Sequence, residues 1–420
     1  MKKLFLMFFI LTILISGCSV NMGEKSDDNE NTNVDIKNND TNKDIPVNEN
    51  EKEKSIEDMI SEQIEVMSLD EKIGQLLISG FEGPEISQRE RELIETYKIG
   101  GFILFQRNII SYEQTLRLLN SLKDLNSNNK IPLLLSIDEE GGRVSRLDKI
   151  FKNLEPVSNL GLKNNEKLAF EYGQIQALKL LALGFNLNFS PVLDVNSNPK
   201  NVVIGNRAIS DDPEKVALLG TQIFKSMMES GIIPVGKHYP GHGDTLLDSH
   251  YNMPIITKSK NELEKVEFLP FKKAIKNGIP GLMVGHLYLE ALSNEPASLS
   301  TEIITDILRK EQDFDGVVFS DDLTMGAISD TYDIGDAAVK FIKAGGDIAL
   351  ICHNDDNIFR VINSIEDALA EGQITQYELD EKVFRILNLK KRFNLEDQST
   401  VAIDIDGLNN KINKYLEEGE

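Results

Sequence analysis

The chain has 420 residues, a length that fits one large domain or two of ordinary size. Hydrophobic residues make up 40% of the sequence, which is enough for a substantial core. The formal net charge of −23 argues against a nucleic-acid-binding role, because contact with phosphates requires a basic face.

The first residues have the features of an export signal. Two lysines precede an apolar run at 4–15, which is too short to span a bilayer as a mature helix. The next three residues, "SGC", complete a stretch that resembles the lipobox of bacterial lipoproteins, in which the cysteine is lipidated and becomes the new N-terminus. We therefore expect a lipoprotein signal peptide at 1–18, a lipid on Cys18, and a protein anchored to the bacterial membrane outside the cytoplasm. A plain secretory signal with an incidental cysteine is the alternative.

Residues 19–54 are predicted to be a disordered tether. Between 19 and 50 the chain has nine Asn, eight acidic residues, three Lys and no aromatic residue. Such a stretch cannot bury enough apolar surface to offset the entropy lost on ordering. Its net charge is only 3 − 8 = −5, so the domain that follows is itself acidic.

The second of the two cysteines, Cys352, lies in the apolar run "GGDIALIC". With Cys18 assigned to the lipid, no disulfide is expected and the hydrophobic core must hold the fold. We expect Cys352 to be a small buried apolar side chain.

From about Ser55 the pattern changes to helices alternating with short apolar runs. The segment 55–80 has helical spacing, and Ser68 followed by Glu71 predicts a capping box at the start of a second helix. Seven strand-like runs then alternate with helical segments. They lie at 100–105, 131–138, 185–195, 232–239, 281–286, 316–322 and 346–352. An eighth strand is not evident, and we expect it to be short or to lie near a terminus.

This alternation predicts a parallel α/β fold, either a (β/α)8 TIM-type barrel or a doubly wound open sheet. The runs end in polar residues, which in a barrel would ring one mouth and in an open sheet could not all converge. These residues are Gln106-Arg107-Asn108, Asp138-Glu139-Glu140, Asp194, Lys237-His238, His286, Asp321-Asp322 and His353-Asn354. We therefore predict a barrel, as a single catalytic domain over 55–395, followed by a C-terminal tail at 396–420 that is too short for a second domain.

The stretch "KHYPGHGDTLLDSH" at 237–250 holds three of the five histidines. A metal site would use His238, His242 and His250 with Asp244 or Asp248. However, Pro240, Gly241 and Gly243 interrupt the segment, so His238 and His242 cannot share a helix face as in a helical zinc motif. A loop whose histidines only satisfy one another is a further alternative, although so polar a buried loop is costly without a function.

An acid/base pair is the reading we favour for this stretch. Residues i and i+2 of an extended loop project to the same side, so the Asp248 carboxylate can accept from one ring nitrogen of His250. The other nitrogen is then free to exchange a proton.

A nucleophile opposite this pair is predicted at Asp321, at the end of the apolar run 316–322. Its neighbour Asp322 should point elsewhere, and a helix cap is the structural alternative for Asp321. "IDEEGGRVSRL" adds Asp138, Arg143 and Arg146, and "VIGNRAISDD" adds Arg207. Such charged residues at strand ends indicate a site for a hydroxyl-rich or anionic ligand.

Six motifs together resemble the β-N-acetylglucosaminidases of glycoside hydrolase family 3, which trim GlcNAc from peptidoglycan fragments. They are "IDEEGGRVSRL", "NLNFSPVLDV", "VIGNRAIS", "KHYPGHGDTLLDSH", "MVGHL" and "GVVFSDDLTM", in family order over roughly residues 60–395. The resemblance implies a retaining exo-acting hydrolase that forms a covalent glycosyl-enzyme and needs no metal or other cofactor.

The resemblance also implies residue roles. Asp321 would be the nucleophile, His250 the general acid/base, and Asp248 its orienting partner. Sugar binding would fall to Asp138, Arg146, Arg207, Lys237 and His238, whereas Arg143 and His242 would be structural. A histidine replaces the second carboxylate that most retaining glycosidases use, because it holds a proton near neutral pH with little tuning.

Three alternatives to a metal-free hydrolase remain open at this site. A histidine acid/base does not repel phosphate, so a GlcNAc phosphorylase could use the same residues. A lipid-anchored sugar-binding protein without catalysis and a zinc-dependent hydrolase are the others. The expected partners are GlcNAc-containing cell-wall saccharides and the membrane, with no nucleic acid. The oligomeric state and the choice between anhydro and reducing-end muropeptides are not specified by these motifs.

Overall fold

The fold is built on eight short strands that close into a barrel. The computed structural model describes residues 54–245, 249, 253–354 and 356–418. The barrel strands are β1 Leu77–Gly80, β2 Gly101–Leu104, β3 Leu134–Ile137, β4 Leu187–Asn188, β5 Ile233–Tyr239, β7 Gly281–Val284, β9 Val317–Asp322 and β10 Ile348–Ile351. Two further strands, β6 Ile255–Ile256 and β8 Tyr288–Leu289, pair with each other outside the barrel.

The order around the barrel is β1-β10-β9-β7-β5-β4-β3-β2, and every neighbouring pair is parallel. This closed ring confirms the predicted (β/α)8 fold and excludes the open sheet. Parallel strands covered on both faces read as continuous apolar runs rather than alternating ones, and every residue of β2, β3, β5, β7 and β10 is buried.

Helices connect the strands and cover the barrel. They are α1 Ile56–Val66, α2 Leu69–Gln75, α3 Gln88–Glu95, α4 Tyr112–Asn126, α5 Ser158–Lys163, α6 Glu166–Leu181, α7 Pro213–Glu229, α8 Lys260–Lys265, α9 Phe268–Lys276, α10 Gly326–Ser329, α11 Ile334–Lys343, α12 Asn357–Ala370, α13 Gln376–Arg392 and α14 Ile405–Glu418. Three short 3-10 turns and a π-helix, Glu302–Glu311, complete the connections within the described part of the chain.

The predicted capping box at the start of α2 is confirmed. The Ser68 hydroxyl accepts the Glu71 N–H at 3.2 Å, and the Glu71 carboxylate accepts the Ser68 N–H at 2.8 Å. These two bonds satisfy donors that the first turn of a helix leaves without partners.

The eighth strand, β1, lies inside the segment 55–80 that we expected to be helical, so that expectation is wrong for its last four residues. Leu77–Gly80 pairs with β2 on one side and with β10 on the other, and so closes the barrel. An apolar run this short cannot be assigned to helix or strand from periodicity, because both patterns fit four residues. Pairing with the distant β10 decides the outcome.

The run at 185–195 forms a much shorter strand than predicted. Only Leu187 and Asn188 belong to β4, and a single bridge further on joins Val192 to Lys237. Pro191 has no N–H to donate to a ladder. The residues beyond the strand therefore form a loop that leads to Asp194 at the mouth of the barrel.

The C-terminal residues fold back onto the barrel. Helix α14 packs against α6, where the rings of Tyr172 and Tyr415 meet edge to face at 6.3 Å and the Tyr415 hydroxyl donates to the Leu168 carbonyl at 3.2 Å. Residues 396–418 thus add one helix to the barrel surface rather than a second domain.

Cys352 is buried at the end of β10, as predicted. In the part of the chain that the structure describes, no helix combines the length and the apolar character needed to cross a bilayer. Cys18, the predicted tether and the signal sequence lie outside the described residues.

Candidate active site

The carboxyl ends of the strands surround a cavity of about 410 Å³. All five predicted sugar-binding residues and the predicted nucleophile line it: Asp138, Arg146, Arg207, Lys237, His238 and Asp321. Glu140, His242, Ser249, Asp322 and His353 also line it. The predicted acid/base residues Asp248 and His250 lie outside the described residues, but Ser249 between them borders the cavity. The polar residues at the carboxyl ends of the predicted strands therefore lie on the side of the barrel that holds this cavity.

A buried lysine bridges two carboxylates at the centre of the cavity wall. The Lys237 ammonium nitrogen lies 2.6 Å from Asp138 Oδ1 and 2.7 Å from Glu140 Oε1. Arg207 binds Glu140 through two parallel bonds, Nε to Oε2 and Nη2 to Oε1, each 2.8 Å long. Strands β3 and β5 thus supply opposite charges to one network.

The network keeps Glu140 and Lys237 charged despite their burial. Burial would raise the pKa of the Glu140 carboxyl, but Arg207 and Lys237 hold this pKa well below its usual range. Burial would lower the pKa of Lys237, but Asp138 and Glu140 raise it above the usual value. The sequence pattern gives Glu140 only a place among the strand-end residues, because the partners that define its role are distant in the chain.

A second carboxylate, Asp194, holds His238. Asp194 Oδ2 lies 2.7 Å from His238 Nδ1, and Asp194 Oδ1 accepts the His238 backbone N–H at 3.2 Å. This contact places a proton on Nδ1 and leaves Nε2 beside Arg207 Nη2, 3.4 Å away. Burial would raise the pKa of Asp194, but His238 and His242 lower it below its usual value. The sequence pattern likewise identifies Asp194 only as a strand-end residue.

Asp321 presents a partly buried carboxylate near the end of β9. Its Oδ1 accepts the Asp322 N–H at 2.9 Å. Burial would raise its pKa, but the neighbouring His286 and His238, the Asp322 N–H and Lys237 together lower it. Asp321 is therefore ionised at neutral pH, which is the state that a nucleophilic carboxylate requires.

Asp322 directs its carboxylate to the neighbouring strand end, although it also lines the cavity. It accepts from the Thr324 hydroxyl at 2.7 Å, from the Cys352 N–H at 3.1 Å, and lies 2.9 Å from His353 Nδ1. The predicted divergence of Asp321 and Asp322 thus agrees with their separate hydrogen-bond partners.

The loop that carries Arg146 is fixed by a buried ion pair beneath it. Glu139 pairs with Lys179, and both side chains are fully buried. Glu139 also accepts from the Ser145 hydroxyl and from the Arg146 N–H, at 2.9 Å and 2.8 Å. The Arg146 guanidinium itself is held only loosely, 3.6 Å from Asp138 Oδ2, and its Nε has no partner. It is therefore available to a ligand.

The two residues assigned structural roles contact protein groups. Arg143 donates to the carbonyls of Val203 and Ile204, the latter at 3.1 Å. His242 is 2% exposed, and its ring nitrogens face the hydroxyls of Thr245 and Ser249 at 2.8 Å and 3.4 Å.

Of the residues in the alternative metal site, His238, His242 and His250 with Asp244 or Asp248, His250 and Asp248 lie outside the described residues. Among the residues that are described, no three His, Cys, Asp or Glu side chains are grouped so as to hold a metal ion. His238 and His242 face each other with ring centroids 5.8 Å apart, and His238 already engages Asp194.

Comparison of the sequence with known families gives a match over most of the chain. Residues 68–389 match the glycosyl hydrolase family 3 N terminal domain. Beta-hexosaminidase A of Pseudoalteromonas piscicida is 34% identical over 359 residues, which are 80% of this chain but only 59% of that protein. A beta-hexosaminidase of Alkalilimnicola ehrlichii is 34% identical over 297 residues, 69% of this chain and 84% of the relative.

A solved structure from the same family is also similar to this chain. A glycoside hydrolase family 3 beta-N-acetylglucosaminidase from Paenibacillus sp. str. FPU-7 superposes with a TM-score of 0.78 and 36% sequence identity. The superposition covers 83% of this chain and 69% of that one.

The buried His242 predicts a pH dependence of stability. Burial and the nearby His238 lower its pKa from 6.5 to about 4, so it is neutral in the folded protein at pH values where the unfolded chain is protonated. The unfolded state therefore binds more protons between these values, and folded-state stability falls as the pH drops through this window. Between pH 7 and pH 4.5 the wild type should lose about 2 kcal/mol more unfolding free energy than His242→Asn.

Urea unfolding of both proteins at the two pH values measures this difference. Equal losses in the two proteins would show that His242 is not held neutral by the fold.

Proposed function

The chain belongs to glycoside hydrolase family 3, and we propose that this glycoside hydrolase is a retaining exo-β-N-acetylglucosaminidase that removes terminal GlcNAc from peptidoglycan fragments. The observation that carries this proposal is the ionised Asp321 in a cavity that also presents Asp138, Arg146 and Lys237, whose polar groups suit sugar hydroxyls.

Asp321 is suited to attack an anomeric carbon. Its carboxylate sits on a strand, which gives a more rigid support than a loop, and its lowered pKa keeps it unprotonated. A retaining glycosidase needs such a nucleophile on one side of the glycosidic bond and an acid on the other. Attack by Asp321 would give a covalent glycosyl-enzyme, which water then hydrolyses.

The opposite wall supplies groups that bind hydroxyls. Asp138 receives one short bond from Lys237 and only a long contact from Arg146, so its carboxylate keeps lone pairs that can accept from a sugar. Arg146 and Lys237 can in turn donate to hydroxyl or carbonyl oxygens. The cavity volume of about 410 Å³ lies within the range of small-molecule sites.

We assign the acid/base role to His250, with Asp248 as its partner. Ser249, which separates them, lines the same cavity as Asp321, and this supports placing the pair across from the nucleophile. In the first step His250 would protonate the leaving oxygen as Asp321 attacks. In the second step His250 would take a proton from the incoming water and so regain the proton that it gave to the leaving group.

Product analysis tests the reaction and its substrate. The full chain is incubated with muropeptides that end in GlcNAc, with and without inorganic phosphate and with and without a chelator, and the products are weighed by mass spectrometry. We expect free GlcNAc and a fragment lighter by one GlcNAc, at a rate that neither addition changes. Asp321→Ala should lower the rate by about a thousandfold or more, which corresponds to about 4 kcal/mol of transition-state stabilisation.

Asp306→Ala is the matched control, because Asp306 is an exposed carboxylate paired with Lys310 on the π-helix, and it should retain the wild-type rate. GlcNAc-1-phosphate as the product would identify a phosphorylase. Binding of GlcNAc without turnover would identify a sugar-binding protein, and loss of activity with the chelator would identify a metal-dependent hydrolase.

We also propose that Cys18 anchors the protein to the outer face of the cell membrane. The basic start, the apolar run at 4–15 and the "SGC" that follows support this localisation. Cells that express the full chain and are fed an alkyne-tagged fatty acid should label the wild type but not Cys18→Ser. Label on Cys18→Ser, or unlabelled wild type released into the medium, would contradict the anchor.

A further inference from the structure

We propose that a rim site at the mouth of the cavity binds a carboxylate of the leaving group. The rim site consists of Phe105, Arg107, Arg146 and His353. This inference rests on the proposed function and specifies which part of the substrate is recognised outside the terminal sugar. It gives a function to Arg107 and His353, two strand-end residues that the proposed mechanism does not use.

The rim site lies further toward solvent than the residues assigned to the terminal sugar. Phe105, Arg146 and His353 line the same cavity as Asp321. The Lys237 side chain is 3% exposed, whereas that of Arg146 is 27% exposed and that of His353 is 53% exposed. In the proposed exo-acting reaction the terminal sugar fills the deep part of the cavity, so the leaving group extends past the rim site.

Arg107 keeps N–H groups for a ligand. Its Nε donates to the Phe81 carbonyl at 2.7 Å, and its Nη2 donates to the Cys352 carbonyl at 3.0 Å. Its Nη1 lies 3.3 Å from His353 Nε2. A guanidinium carries five N–H groups, two of them on each terminal nitrogen. Each terminal nitrogen of this exposed side chain therefore keeps one N–H group that can donate to a carboxylate.

The charge of Arg107 has no opposite charge among its hydrogen-bond partners. Within the described part of the chain, Arg107 binds two carbonyl oxygens and one ring nitrogen. A neutral His353 ring accepts at Nε2 when its proton is on Nδ1, and Nδ1 lies 2.9 Å from Asp322 Oδ2. Asp322 thus orients His353, and His353 meets Arg107. The result is an exposed cation at the mouth of a chain whose net charge is −23, and an anionic group of the substrate would match it.

The backbone that carries the rim site is fixed by a buried amide. The Phe105 N–H donates to Asn108 Oδ1 at 2.8 Å, and the Asn108 amide donates to the carbonyls of Phe81 and Gly83 at 3.2 Å and 2.8 Å. These bonds hold the turn after β2, which carries Arg107, against the loop after β1. A ligand at the rim therefore meets groups that are already in place, which lowers the entropy cost of binding.

The Phe105 ring lies at the centre of the rim site. Its centroid is 4.7 Å from Arg107 Cζ and 5.9 Å from Arg146 Cζ, and the His353 ring centroid is 5.3 Å away. Attraction to the ring orients a guanidinium without using its N–H groups. The rim site thus holds guanidinium groups from two strand ends around one ring, since Arg107 follows β2 and Arg146 follows β3.

A purely structural role is the alternative for Arg107. Its bonds to the Phe81 and Cys352 carbonyls join the ends of β1 and β10, where the barrel closes. Loss of such a role would affect all substrates alike. Binding of a carboxylate would instead distinguish substrates that differ only in that group.

Paired substrates separate these two roles. Each pair is a GlcNAc-terminated substrate that carries a carboxylate and the same molecule with that carboxylate converted to an amide. In the first pair the carboxylate is the lactyl group of a peptide-free muramic acid residue, and in the second pair the carboxylates belong to the stem peptide. The full chain is assayed for kcat/KM on both members of each pair. The ratio within a pair does not depend on the fraction of enzyme that is folded.

We expect the wild type to prefer the carboxylate member by about fivefold to tenfold in at least one pair, because a charged hydrogen bond at an exposed arginine is weaker than a buried one. The pair that shows the preference identifies the carboxylate. Arg107→Gln should reduce this ratio to less than about twofold. Arg117→Gln is the matched control, because Arg117 is an exposed arginine of α4 that does not line the cavity, and it should keep the wild-type ratio.

A wild-type ratio below about twofold in both pairs would overturn the proposal. A preference that persists in Arg107→Gln, or that disappears in Arg117→Gln, would do the same. The wild-type ratios give the test even where Arg107→Gln fails to fold. A wild type that hydrolyses neither member of either pair would instead overturn the proposed function and, with it, this inference.

Discussion

The site depends on one buried cation, the ammonium group of Lys237, which lies between the carboxylates of Asp138 and Glu140. The Lys237 side chain is only 3% exposed, and burying its charge is costly unless opposite charges match it. The two carboxylates alone would leave a net negative charge. Arg207 restores the balance by pairing with Glu140. Two cations and two anions therefore form a neutral set, and this set fixes strands β3 and β5 relative to each other at the mouth of the barrel.

The consequences of this network extend to the chemistry. Glu140 accepts from both Nε and Nη2 of Arg207 and also pairs with Lys237, so its oxygens are occupied. Asp138 accepts a short bond only from Lys237, so its carboxylate keeps free acceptor sites in the cavity. Burial would raise the pKa of Asp321, but His286 and His238, and to a smaller extent Lys237 of this network, lower it and so keep the carboxylate ionised. A similar arrangement recurs at Asp194, which holds His238 by its ring and the adjoining loop by the His242 N–H. Glu140 and Asp194 are thus both buried carboxylates that orient other residues of the site.

Much of this could be predicted from the sequence because the rules involved are local. An apolar run followed by a charged residue predicts both a strand and the side of the barrel where that residue lies, which placed Asp321, Asp138 and Lys237 correctly in the cavity. The strand β1 could not be predicted, because four apolar residues have no decisive period and their pairing partner β10 lies some 270 residues away. Glu140 and Asp194 were visible as strand-end residues, but their roles come from contacts 67 and 44 residues distant along the chain, which no local pattern encodes.

The central claim is that Asp321 attacks the anomeric carbon, and covalent trapping tests it most directly. The full chain is incubated with an activated fluorinated N-acetylglucosaminide that slows hydrolysis of a glycosyl-enzyme, then digested and mapped by tandem mass spectrometry. The account predicts one added sugar on the peptide that contains Asp321, with the fragment ions placing it on that residue, and no adduct in Asp321→Asn. A sugar on another carboxylate such as Asp138 or Asp322, or turnover without any adduct and with inverted product configuration, would contradict it.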